Sequence, residues 1–315
     1  ITVTGVYIGL SLAPIIGGIL NYNLGWRSIF YIVIPFLILL LYLIPKKIKS
    51  EWKVGENDPI DIPGSVIYSI AIICAVYGFT IINTTFGLIL TVIGLIGLIG
   101  FTAFELRQKY PIFEMRLFKN HKFLSSNIAS LISYLATFVI TFVINYHLQY
   151  IMGMNSQSAG FILIITPVMM AVLAPFAGKL SDKINPQKLA AIGMGLVAIA
   201  IFILVFITDT TPLYVIGFAM FLQGVGYGLF SSPNTNSIMS SVPRKQTPSA
   251  SSAVATMRVI GQTLSSGMLT VLFAIIMGSV PIIPKYYGLL LYSNKIACII
   301  SVILCVIAVL TCLVG

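Results

Sequence analysis

Charge is what this chain has least of. Only 8% of its 315 residues are charged and just eight are acidic, whereas a soluble globular protein is about a quarter charged. Hydrophobic residues make up 58%. That excess over the usual half excludes an ordinary soluble domain and points to a polytopic membrane protein. The apolar stretches are continuous and show no alternation, which excludes a sheet barrel.

Histidine and cysteine are also scarce. The two histidines and eight acids are scattered over links and span ends. An integral enzyme would cluster such groups at one membrane face, so no enzyme, metal site or cofactor is expected. Cys74, Cys298, Cys305 and Cys312 all lie inside apolar runs, the last three spaced by seven on one helical face. They read as small apolar packing residues. No nucleotide-binding domain is present, which argues against direct coupling to ATP. The chain starts at Ile1 already inside an apolar run, which predicts further sequence upstream.

What is present is a series of runs near the 20 or so apolar residues that a spanning helix needs. Ten are read: 2–20, 26–44, 62–82, 86–105, 123–144, 159–177, 189–207, 213–230, 252–277 and 295–314. The stretch around Ile282 to Tyr292, interrupted by Pro281 and Pro284, reads as a loop at the membrane interface. Asp61 and Pro63 read as a helix start, with Asp61 capping free amides. The links after the third and seventh spans are very short, so no soluble domain is expected. The Asn83-Thr84-Thr85 sequon lies too close to the membrane to be used.

The net charge of +10 is no nucleic-acid footprint, because the cations sit in short clusters between apolar runs. If the first span runs outward, fifteen of the eighteen Lys and Arg residues fall in cytoplasmic links and Arg27, Lys285 and Lys295 fall outside. The positive-inside rule therefore predicts cytoplasmic chain ends.

The first span contains "GLSLAPIIGGIL", residues 9–20. Gly9, Ala13 and Gly17 recur every four residues and Gly18 widens the smooth face. Small residues let helices approach closely in lipid, and Pro14 removes a backbone bond and bends the helix. From these residues alone, a kinked clamp and an ordinary small-residue interface are both open. The span 123–144 and the residues just after it carry a polar stripe. Asn127, Ser130, Tyr134, Thr137, Thr141, Asn145 and Gln149 recur every three or four residues. Such a face lines a water-filled path or bonds to other helices, and both readings stay open. His147, just past that span, is either a titrating group or an interfacial polar residue. "GVGYG", residues 224–228, follows no strand and so is helix packing rather than a nucleotide loop. Gln223 beside it is a candidate for the solute path.

Several motifs, taken in order, resemble one family. Gly9-x-x-x-Ala13-Pro14-x-x-Gly17-Gly18 resembles the antiporter motif of drug:proton antiporters in the major facilitator superfamily, where it lies on the fifth helix and usually has Gly where this chain has Ala13. "GWRSIFYIVIPF" (25–36) is similar to the start of the sixth helix in the fourteen-helix branch. "IDIPGSVIYS" (60–69), "YPIFEMRLFKNHKF" (110–123) and "YHLQYIMGMNSQSAGFILIITP" (146–167) are similar to its later segments. "GKLSDKINPQKL" (178–189) is a degenerate copy of its cytoplasmic loop motif, with Asn185 in place of Gly. The likeness runs from about Gly5 to Ser266.

The resemblance implies an all-α major-facilitator-type bundle. Residues 1–45 would be family helices five and six, 46–106 two extra central helices, and 107–315 the carboxy-terminal six-helix bundle. The first four family helices, with their acidic and basic coupling residues, would be missing. It also implies proton-coupled efflux of hydrophobic or cationic small molecules across the cytoplasmic membrane by two rocking bundles. An exporter of a metabolite, peptide or siderophore, or a non-functional remnant, are the alternatives. Gly178 and Asp182 would belong to a cytoplasmic latch, Asp182 accepting hydrogen bonds from the start of the next span; a solvated turn is the plainer reading. Arg258 would pair with a carboxylate or carbonyls at that gate, or simply snorkel to lipid headgroups.

Overall fold

The computed structural model describes residues 2–47, 61–108, 111, 113–278, 280 and 282–314. Lys49, Lys53, Lys109 and Pro281, which entered the charge and loop readings, lie outside the described residues.

Eleven α-helices account for the described chain: α1 (Thr2–Leu24), α2 (Ser28–Lys47), α3 (Ile62–Thr80), α4 (Thr85–Glu105), α5 (His121–Tyr146), α6 (Ser156–Leu163), α7 (Ile165–Ser181), α8 (Pro186–Leu204), α9 (Leu213–Ser240), α10 (Thr247–Ile276) and α11 (Tyr287–Val314). No strand occurs among the described residues. Among the described residues nine helical runs are long and apolar enough to cross a bilayer, and α1 adds a shorter apolar stretch at Leu12–Leu24.

The local chemistry of the chain explains where these helices begin and break. Asp61, Thr84, Asn120, Asn155 and Asn185 each accept a hydrogen bond from an amide of the helix they precede, which satisfies donors the first turn leaves open. The run Ser156–Ser181 divides at Ile164 into α6 and α7. Pro167 lacks the N–H that would bond to the carbonyl of Leu163, so the break falls one turn before it. Beyond Tyr146 the chain continues as a π-turn, His147–Ile151, closed by the Met152 amide on the carbonyl of His147.

One expectation is corrected. Residues 287–292 are helix, not loop: α11 starts at Tyr287 after a short 3-10 turn, Pro284–Tyr286. Pro284 occupies the first turn of that 3-10 helix, where proline starts a helix instead of ending it. Lys295 therefore stands two turns inside α11, not ahead of it.

The main core lies among α5, α7, α8, α9 and α11. Cys298, Cys305 and Cys312 are buried in it, on the inward face of α11. Side chains reach close contact here because glycines sit at the crossings. At the α8–α9 crossing a Cβ added to Gly193 would stand 2.6 Å from the Gly226 carbonyl oxygen, and one added to Gly226 would stand 2.6 Å from that of Gly193. Between α5 and α9 a polar seam holds. The Asn234 amide donates to the Ser126 carbonyl at 3.0 Å and to the Ser130 hydroxyl at 2.7 Å, with Ser126 and Ser237 hydroxyls 3.0 Å apart. Asn234 is 2% exposed. Asn234→Ala is expected to lower stability by roughly 1–3 kcal/mol, because it removes two buried hydrogen bonds; thermal unfolding in detergent measures it.

Helices α3 and α4 pair closely at Gly94 and Ala75 and dock on α10, where Phe79 meets Gly267 and the Tyr68 hydroxyl approaches that of Thr256 at 3.4 Å. α1 rests on α6 and α7. Two of the cation-bearing links, before α5 and after α9, meet: Asn120 donates to the Ser241 carbonyl, Lys122 to the Ser240 hydroxyl, and Gln246 to the Glu114 carboxylate at 2.8 Å.

Candidate functional site

A cavity of about 290 Å³ lies where α1 meets the bundle. That is at the lower end of the range for small-molecule sites. Its floor is the middle of α5, where Tyr134, Thr137 and Thr141 follow one another by three and four residues together with Phe138, Ile140 and Ile144. Ala13 and Pro14 of α1 close one side. Leu163, Thr166, Pro167 and Met170 come from the broken α6–α7 run. Met220, Gln223 and Tyr227 come from α9, and Gln262 from α10.

The walls have a definite chemistry. Among the described residues that line the cavity, none is Lys, Arg, His, Asp or Glu. The polar groups are hydroxyls and two glutamine amides. Several hydroxyls are oriented by the helices: Thr137 donates to the Ser133 carbonyl at 2.7 Å, and Thr166 donates across to the Met220 carbonyl at 3.0 Å. Their oxygens retain accepting capacity toward the cavity. The Tyr134 and Tyr227 rings meet edge to face, centroids 5.9 Å apart. Such walls suit an apolar or aromatic solute held by a few hydrogen bonds.

The polar stripe on α5 divides into three parts. Tyr134, Thr137 and Thr141 line the cavity. Asn127 and Ser130 are buried toward the loops: Asn127 donates to the Phe123 carbonyl, and Ser130 joins the seam with Asn234. At the other end Gln149 donates to Asn145 at 2.7 Å. Spacing alone gave one face; the neighbours of each turn divide it. Gln223 lies at the cavity, as do Ala13 and Pro14.

The glycine motif makes a close contact, though through a different row. A Cβ at Gly18 would stand 2.6 Å from the Ser156 carbonyl oxygen, and one at Gly160 only 2.5 Å from that of Pro14. Nothing among the described residues comes within 4 Å of such an atom at Gly9 or Gly17. The contact row is Pro14 and Gly18 because these are the four-spaced pair facing α6.

Asp182 does not receive the amides of α8. Asn185 does, accepting from Gln187 and Lys188, because it directly precedes the helix-starting Pro186. Asp182 instead ends α7 and accepts from Asn236 of α9 at 3.4 Å, while Asn236 also donates to Ser181 at 2.9 Å. Gly178 lies against Ser232 of α9. Arg258 stands exposed on α10, away from the cavity. Gln262, Thr166, Tyr227 and the two methionines were not singled out in the sequence. Their signal was there for Gln262 and Thr166, each a polar residue inside an apolar span.

Comparison with known proteins fits this architecture. The chain is 29% identical over 283 residues to "Riboflavin transporter RibZ" of Clostridioides difficile, covering 87% of the chain and 60% of that protein. It is 26% identical over 271 residues to "Multidrug efflux pump LfrA" of Mycolicibacterium smegmatis, covering 84% and 53%. It is 25% identical over 264 residues to "Lincomycin resistance protein LmrB" of Listeria innocua, covering 82% and 56%. The chain thus spans little more than half the length of these relatives. A crystal structure of a bacterial homolog of the human lysosomal transporter Spinster, inward-facing and occupied, shares the fold, with a TM-score of 0.50 at 13% identity over 78% of this chain and 64% of that one. The sequence profile of the Major Facilitator Superfamily matches residues 1–266, so with its all-helical bundle the chain belongs to the Major Facilitator Superfamily.

Proposed function

We propose that this chain works as part of a proton-coupled exporter of the fourteen-helix drug:proton antiporter branch, in the cytoplasmic membrane with its cation-rich links inside. The observation that carries this reading is the uncharged, aromatic- and glutamine-lined cavity at the junction of α1 with the bundle. Small lipophilic molecules are the substrate class such walls favour. Tyr134, Thr137, Thr141, Gln223 and Gln262 hold the solute. Asn127, Ser130, Asn145 and Gln149 border its path at either end. Residues 1–45 act as part of one bundle, 46–106 as a central helix pair and 107–315 as the second bundle. The α1–α6 contact at Pro14 and Gly18 is a surface that slips as the bundles rock, and Gly178 and Asp182, on the α7–α9 contact within the second bundle, belong to the cytoplasmic latch. Arg258 snorkels at the cytoplasmic side.

Similarity to a riboflavin transporter favours a second reading, in which the solute is a planar polar metabolite bonded by Gln223 and Gln262.

Efflux from cells making the full-length protein tests both. A neutral lipophilic dye is expected to leave faster than from control cells, and a protonophore is expected to stop it. Gln223→Leu is expected to raise KM up to about tenfold, the value of one lost hydrogen bond, and Gln223→Glu to shift preference toward cations. Efflux indifferent to the protonophore overturns the proton coupling. Riboflavin efflux without dye efflux selects the second reading.

A further inference from the structure

A second polar site lies apart from the substrate cavity, between α5, α8 and α11. His147, on the π-turn that ends α5, is 1% exposed, and Asn294 of α11 is 6% exposed. Neither His147 ring nitrogen and neither Asn294 amide atom has a hydrogen-bond partner among the described residues. Both residues line one small cavity of about 10 Å³ with apolar walls that include Val143, Leu204 and Leu291, and with Lys295 beside Asn294.

Four buried polar atoms around one space are an unstable arrangement unless something bonds them. The space is the size of a single water molecule. A water can accept from an imidazole N–H or an amide NH2 and donate to the imidazole nitrogen or the amide oxygen, so one molecule satisfies groups that do not reach each other. The π-turn matters here. One extra residue in the last turn of a helix rotates the side chains that follow, and this one starts at His147 itself.

We propose that this cavity binds one ordered water molecule, held between the His147 ring and the Asn294 amide, which joins α5 to α11 at the end of the bundle remote from the cation-rich links. The site is independent of the solute reading, because no residue of the substrate cavity takes part.

Nitrogen-15 spectra of the full-length protein in lipid bilayers test it. With histidine labelled, His121→Asn, and any other histidine of the expressed protein replaced, the ring signals come from His147 alone. Magnetisation is expected to pass from a bound water proton to a His147 ring nitrogen. Asn294→Leu is expected to abolish the transfer, and Asn294→Ser, which keeps a hydroxyl, to retain it. Val143→Phe fills the space from its apolar wall and is expected to give the same loss without altering a polar group. Absence of transfer in the parent overturns the proposal. So does transfer that survives Val143→Phe or Asn294→Leu, since the water would then reach His147 from elsewhere.

Discussion

Gly226→Leu is expected to separate α8 from α9 and to leave little folded protein. The reason is geometric. A Cβ at Gly226 would stand 2.6 Å from the Gly193 carbonyl oxygen and 2.8 Å from the Val197 amide nitrogen. Both are backbone atoms of a helix, so neither can rotate away as a side-chain tip would. Overpacking a well-packed interior typically destabilises by about 1–3 kcal/mol, occasionally more, and a clash with helical backbone belongs at the upper end or beyond. The α8–α9 pair forms the centre of the main core, so its separation exposes buried groups on both helices. The measurement is the yield of monodisperse protein in detergent and its unfolding temperature. Gly195→Ala is the control. Nothing lies within 4 Å of a Cβ there, and alanine favours helix over glycine by up to about 1 kcal/mol, so this variant is expected to be neutral or slightly stabilised. Equal loss in both variants would mean that the crossing is not where the structure has it.

Gly18→Leu is expected to abolish transport while sparing the fold. Here the obstacle is the Ser156 carbonyl oxygen at 2.6 Å, with the Gln157 Cα at 3.3 Å. The contact joins α1 to α6, outside the main core, so the helices of that core have no reason to unfold. What changes is the approach of α1, whose Ala13 and Pro14 form a wall of the cavity beside α5. Gly160→Leu presses the same contact from the other side, against the Pro14 carbonyl. Two insults to one contact should not add. The double variant is therefore expected to match the singles in efflux rate, and full efflux in Gly18→Leu would remove the α1–α6 contact from the mechanism.

Composition alone placed the chain in a membrane, because continuous apolar runs with 8% charge have no other solvent to fold in. Helix positions were also legible, since apolar runs mark the spans and a cap such as Asp61 acts through a bond only three residues away. The stretch before α11 was misread because proline's effect depends on its place in the turn. Pro284 opens a turn, and a sequence does not mark which side of a proline is helical. The hydrogen bonds expected at Asp182 went to Asn185 for a related reason: Asn185 stands nearer the helix start and takes the amides first.

The site divides along the same line. The polar stripe on α5 followed from spacing, a property of one helix. Which third of that stripe faces the cavity was decided by neighbours: Asn127 is buried and Ser130 is bonded by Asn234 of α9, while α1, α7 and α10 leave space beside Tyr134, Thr137 and Thr141. The Gly18–Gly160 contact, Gln262 at the cavity and the His147–Asn294 pair join residues more than a hundred positions apart. By itself, then, the sequence determined the solvent, the helices and the polar face, because hydrophobicity, capping and periodicity act within a few residues. The tertiary structure alone decided what each face touches, because that depends on how closely two backbones approach, and distant parts of the chain set that distance together.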